Sequence, residues 1–214
     1  MPRTQFSGSS SRSGMVYARH VPNSITIIRI ILTPVVLVLL FSGTFWGITS
    51  ALLLFVLAAV SDWVDGKLAR QLEVSSRFGQ FLDPLADKVL VLGTFIALAW
   101  LEPAIVPWWA VALIALRDVG VTALRSWAEA RGWTLQTLYI AKAKTAGQLA
   151  FLIVMLATLA LAERPGSAGA LATWLLYDTT ILFWLLMVVV AITVYTGVLY
   201  AFNQEPAASA NPHG

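Results

Sequence analysis

Four aspartates carry the chemistry that this sequence offers. Asp62 and Asp65 stand three residues apart, and Asp83 and Asp87 stand four apart. On a helix, either spacing puts the two carboxylates on one face. Both pairs sit at the ends of long apolar runs, flanking the basic stretch around Lys67, Arg70 and Arg77. An ionised carboxylate inside a membrane helix costs about 2.5–3.5 kcal/mol on insertion scales. Four of them clustered would also repel each other, and a bound divalent cation compensates both costs. Ligation by carboxylates alone, without His or Cys, selects a hard ion such as Mg²⁺ or Mn²⁺. The competing reading is a set of interfacial aspartates paired with Lys67, Arg70 and Lys88. Two facing pairs within apolar flanks weigh against it.

These carboxylates need elements that can hold them in lipid. The chain has 214 residues, 58% hydrophobic and only 12% charged, where a soluble domain carries about 25% charged. Nine Trp and ten Phe fit aromatic belts at a membrane interface. A span needs about 20 apolar helical residues. Six runs qualify: 25–41, 46–64, 81–101, 105–128, 138–162 and 175–201. Breaks fall at Ser42-Gly43-Thr44, at Glu102-Pro103 with Pro107, and at Arg164-Pro165-Gly166-Ser167. Open sheets cannot span lipid, and the runs are too long for barrel strands. The expected fold is therefore all-α, a polytopic membrane protein with six transmembrane helices. Residues 21–204 form the helical domain, residues 1–20 a tail and juxtamembrane segment, and residues 205–214 a C-terminal tail. The N-terminal stretch lacks the apolar core of a signal peptide.

Cationic residues cluster before the first run, between runs two and three, and around the junction of runs four and five. The opposite loops carry only Arg164. The positive-inside rule puts both termini and the basic loops in the cytoplasm. The absence of Cys excludes disulfides, zinc thiolates and Cys nucleophiles, and His20 and His213 lie outside the apolar runs. The net charge of +3 gives no reason to expect a nucleic-acid partner.

The pattern D-x-x-D-G-x-x-A-R, eight residues, G-x-x-x-D-x-x-x-D is filled without departure by Asp62, Asp65, Gly66, Ala69, Arg70, Gly79, Asp83 and Asp87. It resembles the signature of the CDP-alcohol phosphatidyltransferases. Three further stretches, PNSITIIRIILTP from Pro22, ALRDVGVTALRSWAEARG from Ala115 and AKAKTAGQ from Ala141, resemble the bacterial phosphatidylglycerophosphate synthase branch. The resemblance implies a six-helix CDP-alcohol phosphotransferase fold in the bacterial inner membrane. It also implies a homodimer with an active site open to the cytoplasm. The implied reaction is CDP-diacylglycerol plus glycerol 3-phosphate giving phosphatidylglycerophosphate plus CMP. The implied site has Asp62, Asp65 and Asp83 holding two metal ions and Asp87 as general base, also touching metal.

For the CDP-lipid, the candidate contacts are Asp62, Gly66, Ala69, Arg70, Ser76 and Gly79, joined by Asn23 and Thr26 from the first run. Gly66 permits close backbone approach, although small residues also serve helix packing. Arg70 offers a forked donor to phosphate, or anchors the helix at the interface. Asn23, Thr26 and Arg29 form a polar stripe that either caps and snorkels or reaches substrate. For the acceptor phosphate, the candidates are Arg117, Arg125, Lys142 and Lys144. Arg117 and Arg125 are eight apart, two turns along one face. Arg117 could instead pair with its neighbour Asp118 or with a metal-site carboxylate, and topology alone explains a basic residue such as Lys144. Inositol phosphate, serine or phosphatidylglycerol as acceptor stays open within the same family. An ion transporter fits less well, because no repeat is visible and the carboxylates lie near one face. A structural scaffold leaves the aspartates unexplained.

Overall fold

The computed structural model describes the backbone of residues 29–72, 77–130 and 139–202, and the side chains of residues 29–61, 88–124 and 144–199. Among the described residues there are seven helices and no strand: α1 (Arg29–Leu40), α2 (Phe45–Leu72), α3 (Arg77–Leu101), α4 (Trp108–Ala130), α5 (Tyr139–Ala162), α6 (Ser167–Tyr177) and α7 (Ile181–Phe202). The helix breaks have local causes. Thr44 caps α2, its Oγ1 accepting the Gly47 amide at 3.1 Å. Pro107 stands directly before α4, where a missing N–H costs least. Hydroxyls inside the apolar helices are satisfied without leaving them: Thr33, Thr94 and Thr158 donate to the carbonyls of Arg29, Leu90 and Val154 at 2.8–2.9 Å.

The last apolar run is not one helix. The expected span 175–201 is interrupted at Asp178-Thr179-Thr180. Thr179 Oγ1 donates to the Leu175 carbonyl at 2.8 Å and accepts the Ile181 amide at 3.4 Å, taking over backbone groups that a continuous helix would pair. The result is α6, whose 11 residues span only about 16 Å, and a separate α7. Helices α2, α3, α4, α5 and α7 contain 28, 25, 23, 24 and 22 residues. At 1.5 Å per residue each exceeds the ~30 Å hydrocarbon core. Among the described residues, 144–162 and 181–199 are the stretches both long and apolar enough to cross a membrane by themselves.

Helix α5 is the hub of the bundle. It packs on α2, α3, α6 and α7, while α4 packs on α3 and α7. Phe95 of α3 and Phe151 of α5 stack at 5.9 Å, nearly parallel, and Phe55, Ile114, Leu152, Leu156 and Leu186 fill the same core. Thr33 and Leu37 of α1 close over Gly93 of α3. The outer surface is apolar too: Val38 is 71% and Leu116 73% exposed. A soluble fold would not leave such a surface in water, and the chain is a membrane protein.

One end of the bundle is aromatic. Exposed Trp46, Trp100, Trp108, Trp109, Trp174, Tyr177 and Trp184 come from the start of α2, the end of α3, the start of α4, α6 and the start of α7. Such residues collect at membrane–water interfaces. Arg164, just past α5, lies over the Phe45 ring at 4.7 Å, and Tyr177 donates to Glu102 at 3.1 Å. These contacts put the start of α2, the ends of α3 and α5, and α6 at one level. Burial raises the Glu102 carboxyl above its ordinary range, and the bond from Tyr177 partly offsets this. Burial raises the Tyr177 phenol as well, and the Glu102 charge adds to it.

Helix α6 folds back on the end of α5 so tightly that only glycine fits at 169. A Cβ there would stand 1.8 Å from the Arg164 carbonyl oxygen. Gly169→Ala is expected to lower stability by about 1–3 kcal/mol, the usual cost of overpacking. A thermal melt in detergent measures this, and an unchanged midpoint would show that α6 can swing away at no cost.

Candidate active site

If the aromatic contacts mark one end, alternation of the chain fixes the other. The far end collects the last turns of α2, the first turns of α3, the last turns of α4, the first turns of α5 and the end of α7. All four signature aspartates lie on backbone of that end. The helices reach further than the apolar runs imply. Expected to stop at 64, α2 continues through Asp65, Gly66, Ala69 and Arg70 to Leu72. Expected to begin at 81, α3 starts at Arg77 and carries Gly79, Asp83 and Asp87. The backbone is thus helical at every aspartate, as the spacing argument requires. The side chains of Asp62, Asp65, Gly66, Ala69, Arg70, Gly79, Asp83, Asp87, Arg125 and Lys142 lie outside the described residues, as do Asn23, Thr26 and Ser76 altogether. The facing of the two aspartate pairs concerns that same region. Among the described residues the two helices share α5 as a neighbour.

Deeper in the bundle lies a polar cluster of described residues. Asp118 of α4 is 5% exposed. Its Oδ1 receives the ammonium of Lys144 from α5, and its Oδ2 receives Gln148 Nε2 at 3.4 Å. Arg117 Nη1 approaches Oδ1 at 3.5 Å, the long limit of a hydrogen bond. Arg117 Nη2 turns the other way and donates to Thr196 Oγ1 of α7 at 3.2 Å. Three helices therefore meet on one buried carboxylate and its neighbouring guanidinium. Lys88, which follows Asp87 on α3, is within electrostatic range of Lys144. The two cations repel, and their proximity puts the Lys88 end of α3 beside the cluster.

The arrangement sorts the sequence candidates. Lys144 is no loop residue: it is 6% exposed within α5 and committed to Asp118. Arg117 is near Asp118, but its shorter contact is with Thr196. Within the Arg117–Asp118–Lys144 cluster two cations face one carboxylate, so a second anion is electrostatically welcome. Arg117 Nε is buried and has no partner among the described residues. A buried guanidinium N–H left unmade is costly, and a phosphate oxygen is the acceptor it suits. Arg29, from the first polar stripe, is buried at 4% exposure at the start of α1. The sequence reading put α7 within its last apolar run but assigned no site residue to it. Thr196 and Gly197 sit in an apolar run with nothing local to mark them.

Comparisons with known proteins place the chain in a family. The family described as CDP-alcohol phosphatidyltransferase matches residues 19–199. The chain is similar to the CDP-diacylglycerol–glycerol-3-phosphate 3-phosphatidyltransferase of Pseudomonas fluorescens, 38% identical over 148 residues, covering 64% of this chain and 72% of that protein. It is 37% identical over 142 residues to the protein of the same name from Escherichia coli K12, covering 64% of this chain and 76% of that one.

Proposed function

This chain belongs to the CDP-alcohol phosphatidyltransferase family, and from that premise we propose that it transfers the phosphatidyl group of CDP-diacylglycerol to glycerol 3-phosphate, releasing CMP. The observation that supports the choice of acceptor is the buried cluster, where, among the described residues, Arg117 Nε has no partner and two cations face one carboxylate. A phosphorylated alcohol brings a phosphate with net negative charge to these cations, whereas glycerol brings no charge and serine, a zwitterion, no net charge.

The chain's own groups divide the work. The acceptor hydroxyl oxygen forms a bond to the lipid-side phosphorus, the bond to the bridging pyrophosphate oxygen breaks, and CMP leaves. Asp87 takes the hydroxyl proton as that bond forms. Arg70 donates to a phosphate oxygen of the CDP-lipid, with Asp62, Gly66, Ala69, Gly79, Ser76, Asn23 and Thr26 shaping its seat. Arg117, Arg125 and Lys142 hold the acceptor phosphate, while Lys144 reaches it only by sharing itself with Asp118. Positioning and charge supply most of the acceleration in phosphoryl transfer.

The donor set Asp62, Asp65, Asp83 and Asp87 is all hard oxygen at one-turn helical spacings, which suits Mg²⁺ or Mn²⁺. Bound there, two such ions would supply neutralisation of the pyrophosphate and the leaving phosphate. On this reading α1 to α5 and α7 are the six spans, and α6 lies along the aromatic face. The basic end and both termini face the bacterial cytoplasm, and the enzyme works as a homodimer.

The test is CMP release by purified protein given CDP-diacylglycerol and, in turn, glycerol 3-phosphate, glycerol, serine, inositol phosphate and phosphatidylglycerol. Turnover is expected with glycerol 3-phosphate, to fall to background after rigorous chelation, and to return when Mg²⁺ or Mn²⁺ is added back. Preference for another acceptor would overturn the substrate assignment, and full activity after chelation would overturn the metal.

A further inference from the structure

We propose that Thr196 and Gly197 of α7 are positioning residues for Arg117, and that through it they set selectivity for a phosphorylated acceptor. The inference rests on the reading of Arg117 as the acceptor-phosphate ligand and adds the element that aims it. An arginine stem is flexible, and a guanidinium recognises phosphate well only when its fork is already oriented. Two features of α7 provide that orientation. Thr196 Oγ1 donates its own proton to the Thr193 carbonyl at 2.9 Å, so it meets Arg117 Nη2 as an acceptor, at 3.2 Å. Gly197 lets the stem lie flat on the helix. A Cβ at 197 would stand 2.8 Å from Arg117 Cγ, 3.7 Å from Nε and 3.8 Å from Cδ. Cγ is near the root of the side chain, so a methyl at 197 would redirect the whole arginine. With Nη2 held by α7 and Nη1 near Asp118, Nε is left buried and unpartnered among the described residues. That N–H is a donor available to a ligand oxygen.

Because the contact joins residues 79 apart in sequence, it also makes the acceptor pocket depend on how α7 packs on α4. Selectivity can therefore be altered from a helix that carries no charged residue of its own.

The experiment uses the full chain in detergent or nanodiscs, with KM measured for glycerol 3-phosphate and for CDP-diacylglycerol alongside kcat. Thr196→Val keeps the shape and deletes the acceptor, while Thr196→Ser keeps the acceptor. Thr196→Val and Gly197→Ala are expected to raise KM for glycerol 3-phosphate about tenfold, the effect of losing one hydrogen bond to a charged group. KM for CDP-diacylglycerol stays put, and Thr196→Ser restores the acceptor KM. If Val and Ser behave alike, or if both KM values stay constant while only kcat or melting temperature falls, α7 merely packs and the inference is wrong. Should Gly197→Ala fail to fold, the Thr196 pair decides alone. Arg117→Lys separates the two levels. If it raises the acceptor KM while the α7 variants do not, only the positioning role falls. If it leaves the acceptor KM unchanged, the acceptor-phosphate reading falls with it.

Discussion

Asp87→Asn is expected to lower turnover by about 10²–10⁴-fold, the contribution of a positioned general base, while the protein still inserts and retains CDP-diacylglycerol. Asparagine keeps the size and one oxygen of aspartate but cannot accept the hydroxyl proton or carry charge. The position lies within the continuous helix α3, so the change leaves the backbone register intact. Turnover and CDP-lipid binding should be measured on the same preparation. Lost turnover with retained binding fits a base, and loss of both fits a structural or metal-holding role. Wild-type turnover would remove Asp87 from the mechanism. Because Asp83 stands one turn before it, Asp83→Asn is the matched comparison, and added metal should restore its activity further than that of Asp87→Asn, which also lacks the proton acceptor.

The sequence was most legible where physics acts locally. Long apolar runs in lipid can only be helices, and breaks at Ser42-Gly43-Thr44, Pro107 and Pro165-Gly166 are written in residues that stop helices. The break at Asp178-Thr179-Thr180 was missed because threonine is common inside membrane helices, as Thr33, Thr94 and Thr158 show in this same chain. Only the hydroxyl geometry of Thr179, which reaches both ways along the backbone, marks it as a stop. Helix ends were misjudged for a related reason. Hydropathy falls at Val64, but hydrogen bonding carries α2 on to Leu72.

The site divides in the same way. Carboxylate spacing within α2 and α3 is a property of one helix and can be read from the chain. Which partner Asp118 chooses depends on how α4 and α5 pack. Arg117 is adjacent in sequence, yet Lys144, 26 residues on, makes the closer pair. Adjacent residues on a helix point about 100° apart, so neighbours in sequence are poor partners, while a lysine on the facing helix can approach head-on. Nothing in the sequence marks Gly197 as the floor beneath an arginine until α7 is laid against α4.

The pair at Asp118 should carry the largest effect on stability. Asp118→Ala is expected to destabilise the protein by about 3–5 kcal/mol, because it strands a buried charge rather than merely deleting a contact. Lys144 is 6% exposed and would face Arg117 with no carboxylate between them. Gln148 Nε2 would also lose its acceptor. Removing the pair as a unit is different: Asp118→Leu with Lys144→Met deletes both charges at similar volume, and such replacements are often neutral or stabilising. Thermal melts of the two single variants and the double variant measure the coupling, and the double should melt well above either single. A single Asp118→Ala variant as stable as the native chain would show that α4 and α5 are held together by their apolar contacts alone. The double variant also asks what the pair does for chemistry. It keeps Arg117 and its contact to Thr196 but takes away the nearby negative charge. Without Asp118 to share it, Arg117 should bind the acceptor phosphate with comparable or greater strength but poorer discrimination among phosphorylated alcohols. Acceptor KM values for glycerol 3-phosphate and inositol phosphate, measured on the double variant, check this: an unchanged ratio would leave the pair with a structural role alone.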